Sequence, residues 1–198
     1  MLTRSCLRDA SRPLIAVLFA ALVARPGAAH AAPTHYIAHL NAAAATPPNP
    51  SPGTAVASVD VDPVAHTLHV NIVFSSLLSS NTASHIHAAT LTPGTGTSEA
   101  ATVVPTFTGF PGGVTAGTYD HTFDTTLTTS FNDVFVEEYG GTAAGAEAAL
   151  FQALADGKAY WNIHTTLYPG GEIRGFFALD STTPVRAATW GRIKSWFR

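Results

Sequence analysis

Apolar and polar residues alternate with a period of two along most of this chain. Residues 55–62 place alanine or valine at every second position, and residues 68–74 do the same with larger apolar side chains. Such alternation is typical of strands that bury one face. It predicts further strands at 35–40, 83–89, 101–107, 117–125, 158–165 and 172–180, separated by turns rich in proline and glycine. The pattern therefore predicts an all-β protein, an antiparallel Greek-key β-sandwich of about seven to eight strands.

A single segment follows the helical period instead. Residues 143–155 are rich in alanine and leucine, with Thr142 in position to cap the start and Gly157 just beyond the end. Leu150, Phe151 and Leu154 form an apolar stripe at helical spacing. The predicted fold thus includes one short helix, which covers an open end of the sheets.

The first 31 residues have the organisation of a secretory signal peptide. A leader with three arginines precedes the apolar run Leu14–Ala24, and Ala29-His30-Ala31 supplies small residues for cleavage after Ala31. We therefore predict a secreted or periplasmic protein in three parts: a signal peptide at 1–31, one domain at 32–180 and a C-terminal tail at 181–198.

Charge is distributed unevenly among these parts. The chain of 198 residues has 12% charged residues and a formal net charge of −3. From residue 32 to 183, however, only Lys158 and Arg174 oppose twelve acidic residues, a formal charge of −10. So acidic a body excludes a nucleic-acid-binding protein, because binding to phosphates requires a basic surface. Cys6 falls in the predicted signal peptide, so the domain is predicted to fold without disulfides.

The tail is basic and aromatic, unlike the domain before it. It carries four basic residues, and its largest apolar side chains are Trp190, Ile193, Trp196 and Phe197. Such a segment is predicted to contact a membrane surface peripherally or to bind a partner. The alternative is a disordered tail. The partner predicted for the whole protein is an extracellular protein or surface component whose identity the sequence does not specify.

Three histidines fall on predicted strands in positions that suit a shared metal ion. His85 and His87 lie on one face of their strand, opposite the isoleucine between them. His164 projects outward from a later strand in the same way, together with Tyr160 and Asn162. Imidazole is a good ligand for copper and zinc, so these three histidines are the candidate ligands if the two strands are neighbours. The alternative is that they are solvated polar side chains on an outer face.

The remaining histidines of the domain are assigned other positions. His35 and His39 are predicted on the outer face of an edge strand, His66 in a turn and His69 on an outer face. His121 lies between two aromatic residues of its strand, which favours a hydrogen-bonded core histidine. A fourth metal ligand is the alternative for His121.

Glu172 and Arg174 are among the few charges of the domain, and they follow the turn at Pro169-Gly170-Gly171. If the next strand begins at Glu172, alternation puts both side chains on one face. The sequence then allows an ion pair, a carboxylate that orients His164, or a guanidinium that attracts anions to the site. A solvated surface pair is the alternative.

Two of these motifs together resemble a known family. The combination of Ser84-His85-Ile86-His87 with Asn162-Ile163-His164-Thr165 and Tyr168-Pro-Gly-Gly-Glu-Ile-Arg-Gly175 is similar to the CHRD domain, a family named for the repeats found in chordin. The resemblance covers roughly residues 34–180 and implies a single-domain form of the kind found in secreted bacterial proteins. It implies a fold more than a function, because no defined catalytic activity comes with the family.

A more distant resemblance is to copper/zinc superoxide dismutase, which also combines a His-X-His strand, a later lone histidine and a glycine-rich turn before an arginine. It implies that His85, His87 and His164 bind copper, with Arg174 above the metal. We predict a secreted CHRD-domain binding module that holds a copper or zinc ion at these histidines. The alternatives are a superoxide-dismutase-like metalloenzyme and a structural or adhesive surface protein without a metal site, and the sequence favours a protein that is not an enzyme.

Overall fold

The computed structural model describes residues 32–181, and the predicted signal peptide and almost all of the predicted tail lie outside the described residues. No helix within 32–181 is long and apolar enough to cross a membrane. The strands are β1 (Thr34–Asn41), β2 (Thr54–Asp62), β3 (Thr67–Ser75), β4 (Asn81–His87), β5 (Gly117–Asp124), β6 (Tyr160–Thr165), β7 (Ile173–Phe176) and β8 (Ala178–Leu179). Between β5 and β6 lie a 3₁₀ turn (Thr128–Ser130) and the helices α1 (Asp133–Glu138) and α2 (Ala143–Ala155).

Hydrogen bonds join the eight strands into one antiparallel sheet. Its order is β4-β6-β7-β1-β2-β3-β5, with β8 paired to β1. The predicted all-β antiparallel class and the number of strands are confirmed. Because β1 lies in the middle of the sheet, the prediction that His35 and His39 belong to an edge strand is wrong.

The sheet curls around its core, so that residues from its two ends meet. The ring of Phe107 lies 5.0 Å from that of Trp161 on β6 and 5.3 Å from that of Phe123 on β5, measured between centroids. The backbone N–H of Asn81, at the start of β4, donates to the carbonyl of Val114, just before β5. The predicted sandwich is therefore built from a single sheet that folds over on itself.

The alternation of the sequence reappears as the two faces of this sheet. The inner-face residues of β2 and β3 are at most 5% exposed, and they are Ala55, Ala57, Val59, Val61, Leu68, Val70, Ile72 and Phe74. Ile86, Trp161 and Ile163 continue the same buried face on β4 and β6. Burying this apolar surface is the main favourable contribution to folding. The opposite face of the same sheet carries most of the histidines, among them His85, His87 and His164.

The predicted helix is confirmed as α2, with the predicted cap. The hydroxyl oxygen of Thr142 accepts a hydrogen bond from the N–H of Gly145 at 3.1 Å, which satisfies one of the free donors at the start of the helix. Leu150 and Leu154 are buried. The six-residue helix α1 was not predicted, because one and a half turns are too short for a helical period to stand out.

The predicted strand at 101–107 is wrong, and its hydrogen bonds give the reason. The N–H groups of Ala101 and Thr102 both donate to the carbonyl of Ile86, which breaks the regular register of a ladder. Pro105 has no N–H to donate. The segment instead runs as an irregular loop beside β4, where it covers the face that carries the histidines.

Candidate metal centre

Strands β4 and β6 place three histidines next to one another on the face opposite the core. In the antiparallel pair, Ala83 is opposite His164, His85 is opposite Asn162, and His87 is opposite Tyr160. His164 is therefore the diagonal neighbour of His85, within reach of a long side chain. We call His85, His87 and His164 the histidine cluster.

The imidazoles of the histidine cluster converge. Ring centroids are 4.6 Å apart for His85 and His87, 4.8 Å for His85 and His164, and 5.9 Å for His87 and His164. One ligand nitrogen from each ring lies within 4.8 Å of the other two, and the Nε2 atoms of His85 and His164 are 3.2 Å apart. The three ligand nitrogens therefore converge on one region of the face, with those of His85 and His164 as the close pair.

Each histidine of the cluster donates a hydrogen bond from its Nδ1–H to a backbone carbonyl oxygen. Nδ1 of His85 contacts the oxygen of Pro105 at 2.9 Å, and Nδ1 of His87 contacts that of Ser98 at 2.8 Å. Nδ1 of His164 contacts the oxygen of Pro169 at 2.8 Å. Because a carbonyl can only accept, each Nδ1 carries the hydrogen and each Nε2 is left with a lone pair. Such an arrangement is typical of histidines that bind metals.

The cluster is largely covered, in contrast to the solvated side chains that were the alternative: His85 is buried, and His87 and His164 are half-buried. His85 is only 7% exposed. Burial lowers the pKa of His85 to about 4, and burial together with the neighbouring His85 ring lowers the pKa of His87 to about 3. Burial also lowers the pKa of His164. The alternation correctly places these residues opposite the core, but the loops around residues 98–106 and 166–171 cover them, and at neutral pH all three rings are uncharged.

Unsatisfied polar atoms concentrate around this cluster. Among residues 32–181, the buried side-chain nitrogen and oxygen atoms without a hydrogen-bond partner are His87 Nε2, Ser98 Oγ and Asn162 Oδ1. All three belong to the cluster or to residues that contact it or pair with it. Buried polar atoms normally have partners, so these three atoms are free to contact a further polar group at this place.

Arg174 lies beneath the loops that cover the site and does not face solvent. Its guanidinium donates to the carbonyls of Ala44 and Gly96 and lies 5.0 Å above the ring of Tyr160. That ring in turn stacks on His87 at 4.7 Å with an interplanar angle of 3°. The solvated surface pair is wrong for Arg174, because it is 8% exposed and ties two loops to the sheet. Its attraction of anions to the site stays a prediction.

Glu172 has a different position from the one predicted. It is fully buried, and its carboxylate accepts hydrogen bonds from the hydroxyls of Ser51 and Thr165 and from the N–H of Leu78. Its hydrogen bonds do not include Arg174 or His164, so the predicted ion pair and the predicted orientation of His164 are both wrong. The reason is that β7 begins one residue later, at Ile173, so strand alternation does not set the direction of Glu172.

His121 is neither a core histidine nor a member of the cluster. It is exposed on β5, with its ring 4.5 Å from that of Phe123 and 6.0 Å from that of Tyr119. The histidines grouped within 4.8 Å are His85, His87 and His164 alone among residues 32–181. Alternation assigns His121 correctly to the inner face, where it pairs with Val70, but this end of the inner face is open to solvent.

The sequence points to part of the site and misses the rest. Asn162 and Tyr160 were predicted to project with His164, and the structure places them on the same face. The carbonyls of Ser98 and Pro105 were missed, because a backbone oxygen has no signature in the sequence. Only the path of the covering loop identifies them.

This geometry defines a class of protein: an antiparallel all-β domain with three convergent histidines on neighbouring strands. The family model of the CHRD domain matches residues 36–177, which include β1 from Tyr36 onward, all of β2 to β7 and the whole histidine cluster. The chain belongs to the CHRD domain family, and this membership suggests a binding module. Comparison with curated proteins finds no match, and comparison with solved structures finds none. The resemblance to superoxide dismutase gains no support from these comparisons and stays a prediction.

Proposed function

We propose that this chain is the metal-binding module of an exported protein, in which the histidine cluster holds one copper or zinc ion. The observation that carries the proposal is the distance of 3.2 Å between the Nε2 atoms of His85 and His164. Both nitrogens have a lone pair, because both Nδ1 atoms donate to carbonyls. Two lone pairs at this distance repel each other unless a cation lies between them.

A proton is a poor candidate for that cation. Each ring already carries one hydrogen, at Nδ1. The lowered pKa values of His85 and His164 mean that adding a proton between the two Nε2 atoms is disfavoured at neutral pH. A metal ion fits better, because zinc–nitrogen bonds of about 2.0–2.1 Å at a tetrahedral angle put two ligand nitrogens roughly 3.3–3.4 Å apart. The observed separation is close to that value.

The donor set favours copper or zinc over other ions. It consists of three neutral imidazoles, without thiolate or carboxylate ligands among the clustered groups. Imidazole suits copper and zinc, whereas calcium and magnesium require several oxygen ligands. The acidic body, with a formal charge of −10 between residues 32 and 183, also favours the approach of cations.

Titration calorimetry with Cu²⁺ and with Zn²⁺ tests the proposal. We expect one ion per chain in the wild type, and affinity lowered about a hundredfold or more in His85→Gln and in His164→Gln. His39→Gln is the matched control, because His39 is exposed on β1 and is not one of the clustered ligands. Equal binding by the wild type and both cluster variants would overturn the metal site and favour a structural or adhesive role.

The export part of the proposal rests on the N-terminal sequence and has its own test. Expression of the full chain in a bacterium, followed by N-terminal sequencing of the exported protein, should give a mature chain that begins at Ala32. The unidentified partner is then an extracellular protein or surface component. Retention of the uncleaved chain in the cytoplasm would contradict this part without affecting the metal site.

A further inference from the structure

Asn162 occupies the central position of the face that carries the histidine cluster. On β4 it is opposite His85, and on its own strand its same-side neighbours are His164 and Tyr160. On the other side it is opposite Arg174 of β7. The register therefore puts Asn162 directly beside His85 and, on the same face of its own strand, beside His164.

The side-chain amide of Asn162 is held in place by its nitrogen, while its oxygen has no hydrogen-bond partner. The residue is 4% exposed, and its Nδ2 donates to the carbonyl of Gly170 at 3.3 Å, whereas Oδ1 has no partner. Gly171 packs directly on this amide, because a Cβ there would lie 2.3 Å from Oδ1. The turn that orients His164 through Pro169 therefore also fixes the amide of Asn162.

Resting on the proposed metal site, we infer that Asn162 Oδ1 accepts a hydrogen bond from a water molecule in a fourth coordination position. Three histidines leave one position of a tetrahedral ion without a protein ligand. A metal-bound water has hydrogens to donate, and an unpaired buried oxygen requires a donor. Direct binding of the amide oxygen is less suitable, because neutral oxygen donors suit calcium and magnesium better than copper or zinc.

This assignment makes the centre a ligand-binding site. A water molecule in that coordination position can be replaced by a small monodentate anion, such as azide or another anion of that size. Closed structural zinc sites lack such a position, and sites that bind substrates keep one. An anion without a hydrogen to donate leaves Asn162 Oδ1 unpaired, so the amide favours water over the anion.

The test uses the copper-loaded full chain and two readouts. Pulsed EPR in D₂O should detect in the wild type the strong deuterium coupling of a metal-bound water, which exceeds the weak coupling of the exchangeable Nδ1 deuterons of the histidines. Azide titration, followed by its charge-transfer absorption band, should give an affinity at least tenfold higher in Asn162→Leu, because the bound water has lost its acceptor. Asn71→Leu is the matched control, since Asn71 is on β3 and contacts Asp120.

Asn162→Asp provides a second variant, in which azide affinity is expected to change in the opposite direction. The carboxylate keeps the acceptor and adds a negative charge, so azide should bind at least tenfold more weakly than in the wild type. Absence of the strong water-deuterium coupling in the wild type would overturn the inference, as would azide affinities that are the same in all variants. Failure of copper to bind at all would instead overturn the proposed function, which keeps the two results distinct.

Discussion

Two groups of histidines lie on the same core-opposed face of one sheet and differ in almost every property. The histidine cluster sits under loops at the β4–β6 end. At the β1–β2–β3–β5 end lies an uncovered row that we call the outer ladder, formed by His35, Asp60, His69 and Asp120. In the outer ladder, Asp60 contacts Nδ1 of His35 at 2.6 Å and Nδ1 of His69 at 3.1 Å, and Asp120 contacts Nε2 of His69 at 3.2 Å.

The difference between the two groups shows that the partners of an imidazole decide its chemistry. In the cluster, carbonyls fix one nitrogen of each ring and burial lowers the pKa, so neutral Nε2 atoms converge. In the outer ladder, burial alone would lower the pKa of His69, but the hydrogen bonds and charges of Asp60 and Asp120 outweigh it and raise the pKa. Both nitrogens of His69 are occupied, so it has no free lone pair for a metal.

The strongest test of this contrast is stabilisation by metal. At a free Zn²⁺ concentration about a thousand times Kd, binding adds about 4 kcal/mol to the free energy of unfolding, which raises Tm by roughly 8–16 °C for a domain of this size. We expect this rise in the wild type and in His69→Gln, and its loss in His87→Gln. Thermal unfolding followed by circular dichroism measures it. An equal rise in all three proteins would remove the distinction between the two groups.

The turn behind the cluster provides the next test, because the outer ladder has no such backbone support. Gly171 has a φ of +119° and lies against the amide of Asn162, so Gly171→Ala should lower the free energy of unfolding by about 2–4 kcal/mol. Gly170→Ala is the matched control, because no atom lies within 4 Å of its added Cβ, and its effect should stay within about 0.5 kcal/mol. Urea unfolding gives both values, and equal effects would contradict the close packing.

The two groups should also respond to pH with opposite signs, and the cluster has the larger effect. The pKa of His85 is about 4 in the folded protein against 6.5 when unfolded, so the unfolded chain binds the proton first as the pH falls. This difference removes up to about 3 kcal/mol of stability between pH 6.5 and pH 4. In metal-free protein, the destabilisation caused by His85→Asn should therefore shrink by that amount from pH 7 to pH 4. Urea unfolding with chelator checks it, and a constant difference would contradict the lowered pKa.

The smallest expected effect is at His69, where the sign reverses. Its raised pKa means that the folded protein holds the proton more tightly than the unfolded chain. The stabilisation is present in full below pH 6.5 and is lost as the pH rises through the folded pKa. His69→Asn should therefore destabilise the protein more at pH 5.5 than at pH 8.5, by less than the change at His85 because water screens this half-exposed site. A greater loss at pH 8.5 would show that Asp60 and Asp120 do not control this histidine.

Much of the fold follows from local pattern, and the site follows from it in part. Alternation identifies the buried faces of β2 and β3, and the cap at Thr142 marks the start of α2. The same alternation places His85 and His87 on one face. It fails at Glu172, which precedes its strand, and along 101–107, where two N–H groups share one carbonyl. In both cases the error arises because a residue outside a regular ladder has no fixed side.

By itself, the sequence determined which residues lie opposite the core, because side-chain direction in a strand depends only on neighbours one or two positions away. Only the tertiary structure decided that His85 meets His164, which is 79 residues further along the chain, since that contact requires the pairing of β4 with β6. It also decided that loops cover one end of the face and leave the other open. Burial and backbone carbonyls, which belong to the fold and to no single residue, separate a neutral cluster with free lone pairs from a ladder of histidines paired with carboxylates.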